Sequence, residues 1–203
     1  MTRNLLEQLS FPLAAPSANP FGYVSPTTAQ HVQDQLGDKV AYILDGGQCR
    51  IGIESTIIGW EGGQPTIYRL GGISQEQVEF VIGKIKVNPY YTSHLQTPGQ
   101  LKTHYAPVKK FLLGDIQTLA AKYSSLRLGI LSFQNKEVKG KIHSNLVLSQ
   151  SGDLNEAARN LFSMMRKFDE MNIDLVLAEE VPDEGLGRAI NDRLRRAAAG
   201  NRE

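Results

Sequence analysis

A chain of 203 residues, 41% hydrophobic and 21% charged, has enough apolar content for one or two packed domains. Its formal net charge of +1 removes the case for strong, sequence-independent nucleic-acid binding. A lone cysteine, Cys49, excludes an internal disulfide and points to a reducing compartment with an inert turn thiol.

Leu5, Leu6 and Leu9 predict the last turns of an amphipathic helix, leading into a short strand at Phe11–Ala15. Ser25-Pro26 reads as a helix start, because serine can cap an orphan amide and proline is tolerated at the first position. Ala29, Val32 and Leu36 supply that helix's apolar face, and Gly37 ends it. "VAYILDGG", "GIESTIIGW" and "TIYRLGG" read as strands, the last two joined through a Glu61-Gly62-Gly63 turn. Ser74 with Gln77 predicts a capping box, and Gly83 the end of that helix.

From Lys84 to Lys110 no period is sustained, and prolines, tyrosines and histidines replace it. A connection of that length and composition reads as a segment packed on something, not a free tether. Beyond it, "FLLGD", "LRLGILSF", "SNLVLS" and "IDLVLAEE" are short apolar strands. "GDLNEAARNLFSMMRKFDEM" and "GLGRAINDRLRRAAAG" are helices. Met165 and Phe168 belong to a core stripe. The expected division is 1–83, a linker over 84–110, and an α/β domain with a mostly parallel sheet over 111–203.

Three stretches concentrate groups able to bind anions. Ser17, Asn19 and Ser25 surround a loop and helix start, which also suits plain turn and cap residues. "DGGQCRIGIEST" combines glycines, which allow close backbone approach, with the hydroxyls of Ser55 and Thr56. Arg69 precedes a glycine pair, where its planar fork can grip phosphate or form a surface ion pair. His31, His94, His104 and His143 show no metal-ligand spacing. Arg188, Arg193, Arg195 and Arg196 in the last helix read as offsetting the negative end of its dipole, with RNA contact the weaker alternative.

"APSANPFGYVSPTTAQHV", "ILDGGQCRIGIESTII", "PTIYRLGGIS" and "TPGQLKTHYAP", in that order, resemble the threonylcarbamoyl-AMP synthases in their long two-domain form. The closing "GLGRAINDRLRRAA" resembles the end of that family's second domain. The resemblance implies part of a YrdC-like twisted mixed sheet with helices, followed by a small Rossmann-like α/β domain. It implies a nucleotidyltransferase joining L-threonine, bicarbonate and ATP into threonylcarbamoyl-adenylate and pyrophosphate, with Mg²⁺ accompanying the nucleotide. The product would pass to a tRNA-modifying transferase complex, in the cytoplasm, with weak contact to tRNA or other double-stranded RNA.

By the same resemblance Ser17, Asn19, Ser25 and Arg69 match nucleotide-site positions, and Ala15 and Ser55 match positions lining the threonine pocket. His104 and Tyr105 match a linker motif that folds over the site as a lid. The family's Lys-x-Arg pair and early threonine-binding strand have no counterpart in these 203 residues. The chain therefore reads as lacking the N-terminal part of the first domain, and as weakly active or inactive alone. A non-catalytic nucleotide- or RNA-binding remnant is the alternative.

Overall fold

The computed structural model describes residues 1–88 and 105–200. In the second half, β4 (Lys110–Leu113), β5 (Leu128–Ser132), β6 (Ile142–Val147) and β7 (Leu175–Ala178) form an all-parallel sheet ordered β4-β7-β5-β6. The central strands β5 and β7 are buried along their whole length, as expected of parallel strands covered on both faces. Their side chains alternate between two cores. Leu128, Ile130, Leu175 and Leu177 face α4 (Ile116–Lys122), while Leu131, Val176 and Ala178 pack with α5 (Leu154–Glu170) and α6 (Gly187–Ala199). Met165 and Phe168 are fully buried, as their spacing predicts. The short helix α4, capped by Asp115, which accepts from the Thr118 amide at 2.8 Å, carries no sequence signal beyond its cap.

In the first half, β1 (Ile57–Glu61) and β2 (Gln64–Arg69) form an antiparallel hairpin, and β3 (Lys86–Val87) adds in parallel, giving a mixed sheet. Gly62 and Gly63 take φ of +56° and +79°, the left-handed pair that a two-residue hairpin turn requires. The helix α3 (Gln75–Ile82) carries the expected capping box and stops at Gly83.

Three expectations need correction. Phe11–Ala15 and the "VAYILDGG" segment form no strand among the described residues. Their apolar side chains Leu13, Tyr42 and Leu44 are exposed. The helix α2 (Ala29–Leu36) begins at Thr28, not Ser25: the Thr28 hydroxyl accepts from the His31 amide at 3.2 Å. The terminal arginines are ion-paired side chains, and of the four only Arg196 stands in the last turn of α6, where it also offsets the helix dipole. Arg188 pairs with Glu76, Arg195 with Glu180 and Arg196 with Asp192, while Arg193 is buried against Glu54.

The halves share a core. Val24 and Tyr105 sit within the cluster built by β4, β5, β7, α5 and α6, with Tyr23 and Ile53 packed against it. Tyr23 and Ala106 form an isolated parallel bridge, and the Ala106 amide donates to the Gly22 carbonyl at 3.1 Å. Tyr105 and Ala106 thus lie beside the first loop.

Candidate functional site

Two irregular arms and one helix meet around a cavity of about 500 Å³. The first arm brings Ser17, Ser25 and Thr27, the second brings Cys49–Glu54, and α5 contributes Phe162. The arms are joined by the Cys49 amide, which donates to the Thr27 carbonyl at 2.9 Å, and by the Ser25 hydroxyl, which donates to Glu54 at 2.7 Å. The second arm lies against α5 because Gly52, at φ +82°, leaves no side chain between its backbone and that of Arg159.

The electrostatics turn on Glu54. Its carboxylate accepts from Arg193 at 3.0 Å as well as from Ser25. Burial alone would push its pKa up. The Arg193 guanidinium, helped by the Ser25 hydroxyl, overrides that and holds it below the ordinary carboxylate value. Arg193 itself is fully buried, and it also donates to the Leu70 carbonyl at 2.5 Å. Its guanidinium carbon lies 5.5 Å from the centre of the Tyr105 ring, and that ring stacks on Phe162 at 5.3 Å. Burial, then the charge of Glu54, pushes the Tyr105 hydroxyl up to about 12. Tyr105 has φ +62°, the one positive value at a non-glycine among the described residues, and such backbone concentrates at functional sites.

Ser17, Ser25, Glu54 and Tyr105 are therefore contiguous through Phe162 and Arg193. Arg69 stands at the end of β2, donating from Nε to the Ser55 carbonyl at 3.0 Å and from its terminal nitrogen to the Ser55 hydroxyl at 3.0 Å. Burial pulls its pKa down, while the nearby Tyr105 and Glu54 support its charge. Asn19 does not line the cavity. Its amide donates to the carbonyls of Pro20 and Tyr23, closing the turn that delivers Val24 and Ser25. Ala15 is exposed and also lies outside the lining, as do Ser55 and Arg69. Thr56 bonds the backbone of Ile73 through both its proton and its oxygen. His104 lies outside the described residues.

Three participants are not assigned to this site by the sequence. Arg50 brings a side-chain cation to the cavity. Glu54 and Arg193 form its buried charge pair. With the Ser25 proton directed at Glu54, an anion in the cavity meets Arg50 as a cation and must compete for the serine hydroxyl. No group of three or more His, Cys, Asp or Glu able to hold a metal occurs among the described residues, and Glu54 is already committed to Arg193. These residues do not fit a resident metal.

Thr27, on the cavity wall, is fixed by His31. The Thr27 amide donates to His31 Nδ1 at 3.1 Å, so the ring must keep that nitrogen unprotonated. Burial, then Arg166, lowers the His31 pKa. A lowered histidine pKa gives stability that is complete above the unfolded value near 6.5 and is lost as pH falls through the folded value. Urea midpoints are expected to drop between pH 7 and pH 5.5, with a shallower drop in His31→Gln. Equal slopes would show that His31 is not the group responsible.

Comparison with known proteins adds a family to this geometry. A family model described as "Threonylcarbamoyl-AMP synthase, C-terminal domain" matches residues 73–199, and one described as "Telomere recombination" matches residues 1–71. A Bacillus subtilis protein named threonylcarbamoyl-AMP synthase is 38% identical over 97% of this chain and 60% of its own length. A Pyrococcus abyssi protein of the same name is 36% identical over 96% of this chain and 60% of its own length. The chain thus spans about 60% of these relatives. Among solved structures, P. abyssi Sua5 complexed with L-threonine superposes with a TM-score of 0.81, at 35% identity, over 92% of this chain and 58% of that one. A P. abyssi Sua5 variant with an adjacent His and Tyr replaced by alanine gives 0.80 at 33% identity over 92% of this chain and 57% of that one.

Proposed function

This chain belongs to the threonylcarbamoyl-AMP synthase family, and on that footing we propose that it carries one wall of the site where ATP, L-threonine and bicarbonate become threonylcarbamoyl-adenylate and pyrophosphate. The observation that carries this reading is the meeting of Ser17, Ser25, Arg50 and Glu54 in one cavity, with Tyr105 and Arg69 beside its buried charge pair.

The amine of threonine captures bicarbonate as a carbamate with loss of water, and a carbamate oxygen attacks the α-phosphate and expels pyrophosphate. The step gathers negative charge on the phosphoryl oxygens, so it needs fixed cations and donors. On this reading Ser17 and Ser25 frame the nucleotide, Asn19 shapes the turn that presents Ser25, and Arg69 holds part of the nucleotide from beside the cavity. Ala15 and Ser55, outside the cavity lining, are assigned to the threonine side by family likeness alone. Carbamate and mixed anhydride both hydrolyse in water, which gives the His104-Tyr105 strip its purpose as a lid. Mg²⁺ would arrive on the nucleotide phosphates, since the described residues offer it no cage. Delivery of the adenylate to a tRNA-modifying transferase, in the cytoplasm and with only weak tRNA contact, belongs to the same proposal. Among the described residues no helix is long and apolar enough to cross a membrane.

These 203 residues hold no Lys-x-Arg, and loss of one preorganised donor costs about a hundredfold or more in rate. The purified chain alone is expected to release little or no pyrophosphate. Joined to the portion of the B. subtilis relative that it does not span, it should release pyrophosphate from ATP only when threonine and bicarbonate are present. Arg69→Ala should cut that rate by about tenfold or more. A folded chimera with no such release, or release independent of threonine, contradicts the reading.

A further inference from the structure

Two arginines of the second half are buried among groups of the first. Arg193 on α6 reaches Glu54 and the Leu70 carbonyl. Arg166 on α5 donates to the carbonyls of Val24 and Ser25 and to Gln35 Oε1, with its guanidinium carbon 4.8 Å from the Tyr23 ring centre. Tyr23 in turn donates to Asp169 at 2.6 Å, and Asp169 also accepts from the amides of Val108 and Lys109. One helix therefore holds the start of the first arm together with the chain that leaves the linker.

We propose that Arg193 and Arg166 are positioning residues through which the second half sets the two arms of the cavity: Arg193 pins Glu54, and Arg166 pins the Val24–Ser25 backbone. The proposal rests on reading this cavity as the ligand site, but the coupling itself concerns protein geometry alone. A carboxylate on the wall of an anion site repels its ligand unless a fixed cation neutralises it. Arg193 does this from behind the wall and leaves Arg50 as the cavity's cation. A fork held at several points restricts the arm more than a point charge does. The second half is then part of the site's construction, since Phe162 lines the cavity and both arginines fix its walls.

Cys49, the one cysteine, is exposed on the second arm and reports its geometry. Arg193→Met leaves Glu54 without its ion-pair partner, so the informative variant is Arg193→Met with Glu54→Gln, which removes both charges. In that folded double variant, without ligand, Cys49 alkylation by iodoacetamide should change about threefold or more, with faster amide exchange across 49–55. Arg193→Lys, which keeps charge without the fork, should fall between. Asn191→Ala is the control. Its amide ties α6 to the Val181 backbone and touches neither arm, so it should lower stability and leave the Cys49 rate unchanged. Arg166→Met should speed exchange across 24–28. An unchanged Cys49 rate in the double variant, an equal change in Asn191→Ala, or unaltered exchange in Arg166→Met overturns the proposal. A folded chimera that takes up no ATP would count against the cavity as a ligand site, while these rates would still decide the coupling.

Discussion

Gly52→Ala is expected to destabilise the chain by about 2–5 kcal/mol, combining a left-handed backbone penalty with overpacking. Gly52 is buried at φ +82°, and an added Cβ would stand 2.4 Å from the Arg159 Cα and 2.6 Å from the Ala158 carbonyl. Both obstacles are helix backbone, which cannot rotate aside as a side chain can. Relief requires the second arm to lift from α5, carrying Cys49, Arg50 and Glu54 with it. A denaturant midpoint would measure the loss, and exchange across 49–55 would show where it falls. Gly62→Ala serves as comparison: its φ is +56°, but nothing lies within 4 Å of the added atom. Equal costs at both glycines would mean that close approach to α5 is not what Gly52 provides.

Phe162→Ala is expected to cost about 3–5 kcal/mol, the usual range for truncating a buried aromatic. Phe162 is 1% exposed, belongs to the main core, stacks on Tyr105 and forms part of the cavity wall. Its removal takes away the surface that holds Tyr105 beneath Arg193, so fold and site should weaken together. Phe162→Leu retains most of the apolar volume and should cost less than half as much. A site that stays intact in a clearly destabilised Phe162→Ala chain would separate the cavity from that main core.

The parallel sheet was legible because β5 and β7, buried on both faces, write themselves as unbroken apolar runs. The α5 stripe was legible for the corresponding helical reason. The segment at Phe11–Ala15 has strand-like composition, yet a strand is a pairing, and composition says nothing about the partner. Ser25 looked like a cap because Ser-Pro is a good helix start. Thr28, three residues later, does that work and frees Ser25 to donate to Glu54.

The site's motifs could be read from the chain, but its charge pair could not. Glu54 and Arg193 are 139 residues apart, and no local pattern links them. A weaker signal was present. Arg193 lies four residues after Ala189 and four before Ala197, both buried, so it falls within an apolar stripe. Arg166 follows Phe162 by four in the same manner. A charge placed inside such a stripe demands a buried partner.

The most direct measurement is the Cys49 alkylation rate in the active chimera as ATP and threonine are added. Ligands seated between the two arms should slow the reaction about fivefold or more, saturating with the same concentration dependence as pyrophosphate release. Full pyrophosphate release with a Cys49 rate that never moves would place the chemistry outside this cavity and contradict the account.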